Sequence, residues 1–152
     1  MDKIKIILDT DIGTDIDDAL ALAYLLMKPE CELMGITTVT GEAKTRAKLA
    51  SVICKAANRG DIPIYPGNEE CILIEQKEKF APQSAVLESW QHEEKFPEDQ
   101  ALSFYAENDQ GKSGRNCISG NFAYGQYCQA ISFGFGDTII AERFIPHVRQ
   151  IQ

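Results

Sequence analysis

The sequence has 152 residues, enough for one domain that buries roughly two-thirds of its unfolded surface. Apolar residues make up 44% of it and charged residues 25%, as in ordinary soluble proteins. The net charge of −8 argues against the cationic surface that nucleic acids and anionic membranes attract, and no apolar run could span a bilayer. With no secretory signal in its opening residues, we expect a cytoplasmic protein without nucleic-acid or membrane partners.

Short apolar runs alternate with helical segments over the first 65 residues. The expected elements are a strand at 3–8, a helix at 17–27, a strand at 31–39, a helix at 43–57 and a strand at 62–65. In the second helix, the Lys and Arg side chains are expected opposite the apolar face. This β-α-β-α-β order predicts an open α/β sheet of parallel strands. Residues 68–103 are expected to form a long loop with a short helix near 98–104.

The five cysteines favour a reduced, metal-free state. Their number is odd, no Cys-x-x-Cys pair occurs, and no Cys/His spacing suits zinc. Cys31 and Cys54 lie in apolar segments, so we interpret them as small buried hydrophobic residues.

A run of acidic residues follows the first expected strand. Between positions 9 and 18 the chain carries five carboxylates, at Asp9, Asp11, Asp15, Asp17 and Asp18. In open α/β sheets, ligand sites lie beyond the carboxyl ends of the strands, which is where this run begins. Five adjacent carboxylates would repel one another strongly, and a hard cation such as Ca²⁺ or Mg²⁺ would remove that conflict.

The alternative is a solvated acidic loop in which one acid caps the following helix. Asp15 or Asp17 could serve as that cap, but capping needs one acid and leaves the others unexplained. The spacing also fails to fit an EF-hand loop, which needs a glycine at its sixth position where Thr14 stands. The sequence therefore favours a divalent-cation site.

The segment LDTDIGTDIDDALALAYLL, residues 8–26, resembles the N-terminal signature of the inosine/uridine-type nucleoside hydrolases. Two further segments match that family in order. GITTVTGEAKTRAKLA, residues 35–50, is similar to its second strand and helix, and DIPIYPG, residues 61–67, is similar to its third strand. The resemblance covers about residues 3–100 and implies the N-terminal portion of an open parallel-sheet, Rossmann-like fold.

The resemblance implies a Ca²⁺-dependent enzyme that uses water to split a ribonucleoside into ribose and a free base. Asp11 and Asp18 would ligate Ca²⁺, and Asp11 would also be the general base on the attacking water. Asp17 would bind a ribose hydroxyl, while Asp9 and Asp15 would support the cluster. These roles fit the chemistry, because a cation acidifies its water and a nearby carboxylate can take the proton.

One further substrate-binding candidate follows from the resemblance. Glu42 stands where the family often has an Asn or Asp that reaches the ribose, and it is one carbon longer than Asp. The partners implied are a ribonucleoside substrate and, as in the family, further copies of the same chain.

The last third of the chain has a different composition. Residues 1–103 carry the whole net charge, whereas residues 104–152 are neutral and hold 6 of the 11 glycines and 8 of the 13 aromatic residues. Read one base later, FYAENDQGKSG, residues 104–114, can encode FMRKTIRENPG, and the second half resembles a segment of the family. We therefore interpret 1–103 as part of a nucleoside hydrolase domain and 104–152 as an out-of-frame tail, with a divergent genuine domain as the alternative.

Three hypotheses follow from the sequence. The first is a nucleoside hydrolase represented by its N-terminal half and inactive in this truncated form. The second is a non-enzymatic Ca²⁺-binding fragment. The third is an unrelated Mg²⁺-dependent phosphoryl-transfer enzyme that uses the same acidic residues.

Overall fold

A computed structural model describes residues 3–70, 79–109, 117–120 and 139–140 of the chain. Its strands are Ile4–Thr10 (β1), Cys31–Thr38 (β2), Ile64–Pro66 (β3), Cys117–Gly120 (β4) and Ile139–Ile140 (β5). Its helices are Asp17–Met27 (α1), Ala43–Ala56 (α2) and Ala101–Asp109 (α3), with a 3₁₀ helix at Pro82–Glu88.

The described strands form one parallel sheet in the order β3-β2-β1-β4-β5. The prediction of an open α/β sheet is therefore confirmed. The chain starts at the centre with β1, adds β2 and β3 on one side, and then crosses to add β4 on the other. This reversal between β1 and β4 creates a topological switch point, where ligands bind at the carboxyl ends of the strands in such sheets.

β1 runs two residues further than the sequence predicted. Asp9 and Thr10 pair with Thr37 and Thr38 of β2 and are buried, although both are polar. The Thr37 hydroxyl donates to Asp9 Oδ1 at 2.6 Å, so the buried carboxylate is hydrogen-bonded. The acidic character of Asp9 suggested a strand end, but this bond allows the strand to continue.

α1 and α2 pack on one face of the sheet, close to their predicted bounds. The core there contains Ile6, Leu8, Ile12, Leu22, Leu33, Ile36, Ala47, Leu49, Ala50, Cys54, Ile62, Ile64 and Ala81. Burial raises the pKa of the Cys54 thiol to about 11, which agrees with its interpretation as a small hydrophobic residue. Among the described residues, no helix is long and apolar enough to cross a membrane.

α3 covers the opposite face of the sheet. The short helix expected near 98–104 is observed at Ala101–Asp109, and the 3₁₀ helix was not expected. Phe104 and Tyr105 are buried with Ile7, and the Phe104 ring stacks on Tyr65 with 4.5 Å between centroids. α3 thus continues across the predicted division at residue 103, and the out-of-frame origin of the tail stays a prediction.

The contact between Gly35 and Phe104 gives a test of this second core. A Cβ at Gly35 would lie 2.5 Å from Cζ of the Phe104 ring, which is already held by Tyr65. We expect Gly35→Ala to lower the free energy of unfolding by about 1–3 kcal/mol, as overpacked cores do. Urea denaturation followed by circular dichroism measures the change.

The matched control is Gly60→Ala, because a Cβ at Gly60 meets only Lys55 Cγ at 3.9 Å. In a Phe104→Ala background, the cost of Gly35→Ala should disappear, since the clashing ring is gone. Equal losses for Gly35→Ala in both backgrounds would contradict this packing.

Candidate metal centre

The acidic residues lie at the topological switch point, around the connection from β1 to α1. We call residues 11–16, which join these two elements, the acidic loop. Gly13 in this loop has φ +110°, a backbone conformation that side chains rarely adopt. A Cβ at Gly13 would also lie 2.5 Å from Leu49 Cδ1 and 3.1 Å from Ala81 Cβ. The glycine therefore lets the loop turn sharply while it packs against α2 and the segment around Ala81.

Asp18 is the buried acid of the site. It lies in the first turn of α1 with 5% of its surface exposed, and Thr10 donates its hydroxyl to Asp18 Oδ1 at 2.7 Å. Burial, and then the nearby carboxylates of Asp11 and Asp17, together raise the pKa of Asp18 to about 7 against the opposing effect of the Thr10 hydrogen bond. Ionised Asp18 is thus held in unfavourable surroundings when no cation is bound.

Three carboxylates converge closely enough to share one ion. Ligand oxygens of Asp15, Asp17 and Asp18 all lie within 4.8 Å of one another. The sequence assigned metal binding to Asp11 and Asp18, and the structure brings Asp11 into electrostatic contact with Asp18 without including it in this closest group. Asp15, assigned only a supporting role, lies within the group. The oxygen-only donors and the destabilised Asp18 carboxylate fit a hard divalent cation.

The competing interpretation, an acidic loop that caps a helix, is not observed. The N-cap residue of α1 is Ile16, and no side chain makes the capping hydrogen bond. Asp15 and Asp17, the candidate caps, are exposed and instead lie in the group of converging carboxylates. The structure therefore does not support helix capping as the role of these two acids.

Asp9 lies apart from the converging acids, on β1. Its partner Thr37 is also hydrogen-bonded to the Tyr105 hydroxyl, so a buried polar chain joins β1, β2 and α3. These bonds fix the strand end from which the acidic loop departs, and the supporting role of Asp9 in the metal site stays a prediction.

Glu42, the further substrate-binding candidate, precedes α2 with φ +63°, in the left-handed region. Its Oε2 accepts a hydrogen bond from the backbone N–H of Ala81 at 2.7 Å. The described contact is thus with the main chain of a neighbouring segment, and a contact of Glu42 with substrate stays a prediction.

Sequence reasoning missed Arg46. It was expected among the solvated Lys and Arg side chains of α2, but it is fully buried, with 0% exposed. Its guanidinium donates to the backbone carbonyls of Asp11 and Ile12. The helical spacing carried a signal, since Arg46 stands four residues before Ala50 and eight before Cys54 on the buried face.

Comparison with known sequences identifies relatives of the chain. The sequence model of the inosine-uridine preferring nucleoside hydrolase family matches residues 6–116. Uridine nucleosidase 1 of Arabidopsis thaliana is 38% identical over 68 residues, which are 43% of this chain and 20% of that protein. The curated relatives matched first are thus covered over a quarter of their length or less.

Solved structures resemble the chain over most of its length. A plant nucleoside hydrolase has a TM-score of 0.71 and 25% identity, covering 86% of this chain and 43% of the other. A purine-preferring ribonucleoside hydrolase from Gardnerella vaginalis has a TM-score of 0.69 and 22% identity, covering 86% and 44%, and it supports the fold alone.

The family match includes β1 from residue 6 onward, the acidic loop, α1, α2 and α3, and so contains the whole candidate site. Because that match covers well over half of the chain, the chain belongs to the inosine-uridine preferring nucleoside hydrolase family.

Proposed function

We propose that this chain supplies the metal-binding half of a nucleoside N-ribohydrolase, which uses water to split a ribonucleoside into ribose and a free base. The observation that supports this most strongly is the buried Asp18 carboxylate beside Asp11 and Asp17, at the switch point of a sheet in a member of this family. A ribonucleoside is accordingly the proposed substrate.

The proposed cation is Ca²⁺, held by Asp11 and Asp18 with help from the exposed carboxylates of Asp15 and Asp17. Carboxylate oxygens at one edge of a sheet suit a hard ion with flexible coordination. When bound, such an ion acidifies water and orients oxygen atoms of the substrate. It would also relieve the repulsion that raises the pKa of Asp18.

Asp11 is the proposed general base. It is half-buried at the start of the acidic loop, and its backbone carbonyl is fixed by Arg46. A positioned carboxylate can accept the proton of an attacking water. Asp17 is exposed and acidic, so it can accept a hydrogen bond from a ribose hydroxyl. The negative charge of the cluster would stabilise a transition state with oxocarbenium character.

We further propose that the chain is inactive by itself and that residues 104–152 are read out of frame. The composition changes after residue 103, and the solved relatives are more than twice as long as the part matched. The family match that runs on to residue 116 is the observation against a frame change at 103. A gene sequence with no alternative open frame across residue 103 would contradict this proposal. The runner-up is a fragment that binds the cation without catalysis.

A protein translated in the alternative frame after residue 103 should release ribose from inosine, uridine or p-nitrophenyl riboside, and a chelator should abolish this turnover. Asp11→Asn should lower kcat by about 10²- to 10⁴-fold, since it removes the proposed base. The 152-residue chain should show no turnover. A reducing-sugar assay measures all four results.

Asp61→Asn is the matched control, because Asp61 is exposed and bonded to Arg59, away from the acidic loop. It should leave kcat unchanged. Phosphatase activity without ribose release would contradict the proposal in favour of phosphoryl transfer. Cation binding without turnover in the alternative-frame protein would favour the runner-up.

The pKa of Asp18 predicts how stability depends on pH without a cation. The folded state holds the proton up to about pH 7, whereas the ordinary pKa is 3.8. This carboxyl therefore stabilises the fold at pH below its ordinary pKa, and that stabilisation is lost as the pH rises through 7. We expect a loss on the order of 3 kcal/mol between pH 4 and 8, measured by urea unfolding with chelator present.

Asp18→Asn should remove most of this slope, and millimolar Ca²⁺ should reverse the loss at pH 8 in the unsubstituted chain. Asp61→Asn should keep the slope between pH 4 and 8, since the hydrogen bond from Arg59 lowers the pKa of the exposed Asp61 below its ordinary value of 3.8 and so below this range. An unchanged slope in Asp18→Asn would contradict the assignment.

A further inference from the structure

Arg46 places a buried positive charge directly behind the acidic loop. Its side chain extends from the first turns of α2, and no part of it is exposed. A buried guanidinium is costly unless its N–H groups are hydrogen-bonded in a favourable geometry. The contacts that satisfy it therefore show which parts of the chain it holds together.

One guanidinium nitrogen binds the acidic loop at three acceptors. Arg46 Nη1 donates to the backbone carbonyl of Asp11, to that of Ile12 at 3.1 Å, and to the Thr14 hydroxyl at 2.9 Å. These bonds fix the main chain that carries Asp11 and begins the turn at Gly13. The position of the Asp11 carboxylate depends on that main chain.

The other nitrogens bind two neighbouring segments. Arg46 Nε donates to the carbonyl of Gly41 at 2.8 Å, and Nη2 donates to the carbonyl of Phe80 at 3.0 Å. Glu42 binds the N–H of Ala81, which belongs to the same peptide group as the Phe80 carbonyl. Arg46 and Glu42 lie four residues apart at the start of α2. Together they hydrogen-bond both polar groups of one peptide: Arg46 binds its carbonyl and Glu42 binds its N–H.

The segment that contains this peptide group, residues 79–83, also contacts the acidic loop directly. The Gln83 N–H donates to the Gly13 carbonyl at 3.1 Å. Ala81 Cβ lies against Gly13 so closely that a Cβ there would be 3.1 Å away. The acidic loop is therefore held by Arg46 from α2 and by the 79–83 segment, which α2 itself positions.

We propose that Arg46 and Glu42 are positioning residues that hold the acidic loop, with Asp11 and Asp15, in the conformation that forms a cation site together with Asp17 and Asp18 of α1. The inference rests on the proposed function for the identity of the bound group. In this proposal, Glu42 acts on the loop indirectly, by binding the main chain of residues 80 and 81. Lysine cannot replace Arg46, because an ammonium is a compact charge without the planar fork that reaches several acceptors.

The test uses amide hydrogen exchange of the full 152-residue chain, compared with Arg46→Lys, Glu42→Asp, Glu42→Gln and the control Arg59→Lys. The reporters are the amides of Ile12, Ala81 and Gln83, whose partners are Thr10 Oγ1, Glu42 and Gly13. The paired amides of β1 and β2 report global unfolding.

Arg46→Lys should lower protection of the three reporter amides by about tenfold or more relative to the β1–β2 amides. Glu42→Asp should lower protection of Ala81 and Gln83, because the shorter side chain no longer reaches the peptide group. Glu42→Gln should retain it, since an amide oxygen can still accept the bond. Arg59→Lys should match the unsubstituted chain, because Arg59 pairs with Asp61 at the surface.

Unchanged protection at the reporters in Arg46→Lys, or a loss equal to that of the β1–β2 amides, would overturn the proposal. If Arg46→Lys does not fold, the proposal is tested with Glu42→Asp, by comparing protection of the Ala81 and Gln83 amides with that of the β1–β2 amides. In a parallel calorimetric titration, Arg46→Lys should weaken Ca²⁺ binding by about tenfold and Arg59→Lys should not. Absence of Ca²⁺ binding in the unsubstituted chain would contradict the proposed function, while the exchange result still decides whether the two residues position the loop.

Discussion

Asp18 is buried beside Asp11 and Asp17, so its ionised form lacks the solvation that an exposed carboxylate would have. Without a cation, this arrangement costs stability at neutral pH, and the hydrogen bond from Thr10 offsets only part of the cost. A sequence selected for stability alone would not place these acids together. A bound cation explains the arrangement, because one ion compensates both for the lost solvation of Asp18 and for the repulsion between the carboxylates.

The rest of the described structure holds this unfavourable group in place. The strand order reverses between β1 and β4, and in open α/β sheets such a reversal is where ligands bind at the carboxyl ends of the strands. The helix α1, which follows β1, begins with Asp17 and Asp18. Behind the acidic loop, Arg46 donates to the main-chain carbonyls of Asp11 and Ile12. Acids therefore cluster after β1, while a cationic side chain binds the main chain of the loop that carries Asp11. These bonds fix the main chain on which the acid of residue 11 is carried.

Local sequence patterns predicted those helices and strands that bury one continuous apolar face. The helix at Asp17–Met27 and the strand starting at Cys31 could be read from apolar spacing and from Pro29. The excess of carboxylates indicated a site in the acidic loop. The roles of the individual acids came from the family resemblance, because the spacing of the residues alone does not indicate them. The features that local patterns could not predict depend on contacts with residues distant in the sequence. Asp9 continues a strand because Thr37 satisfies it, and Arg46 is buried because carbonyls at residues 11, 41 and 80 converge on it. The 3₁₀ helix at Pro82–Glu88 and the placement of α3 are likewise set by packing rather than by periodicity.

The central claim is that Asp18 is a destabilised carboxylate whose partner is a divalent cation. The most direct measurement is a ¹³C NMR titration of the Asp18 carboxyl group, carried out on the 152-residue chain with chelator and then with saturating Ca²⁺. The account predicts a midpoint of about 7 with chelator and a much lower midpoint with Ca²⁺. A midpoint near the ordinary value of 3.8 with chelator, or a raised midpoint that Ca²⁺ does not shift, would contradict it.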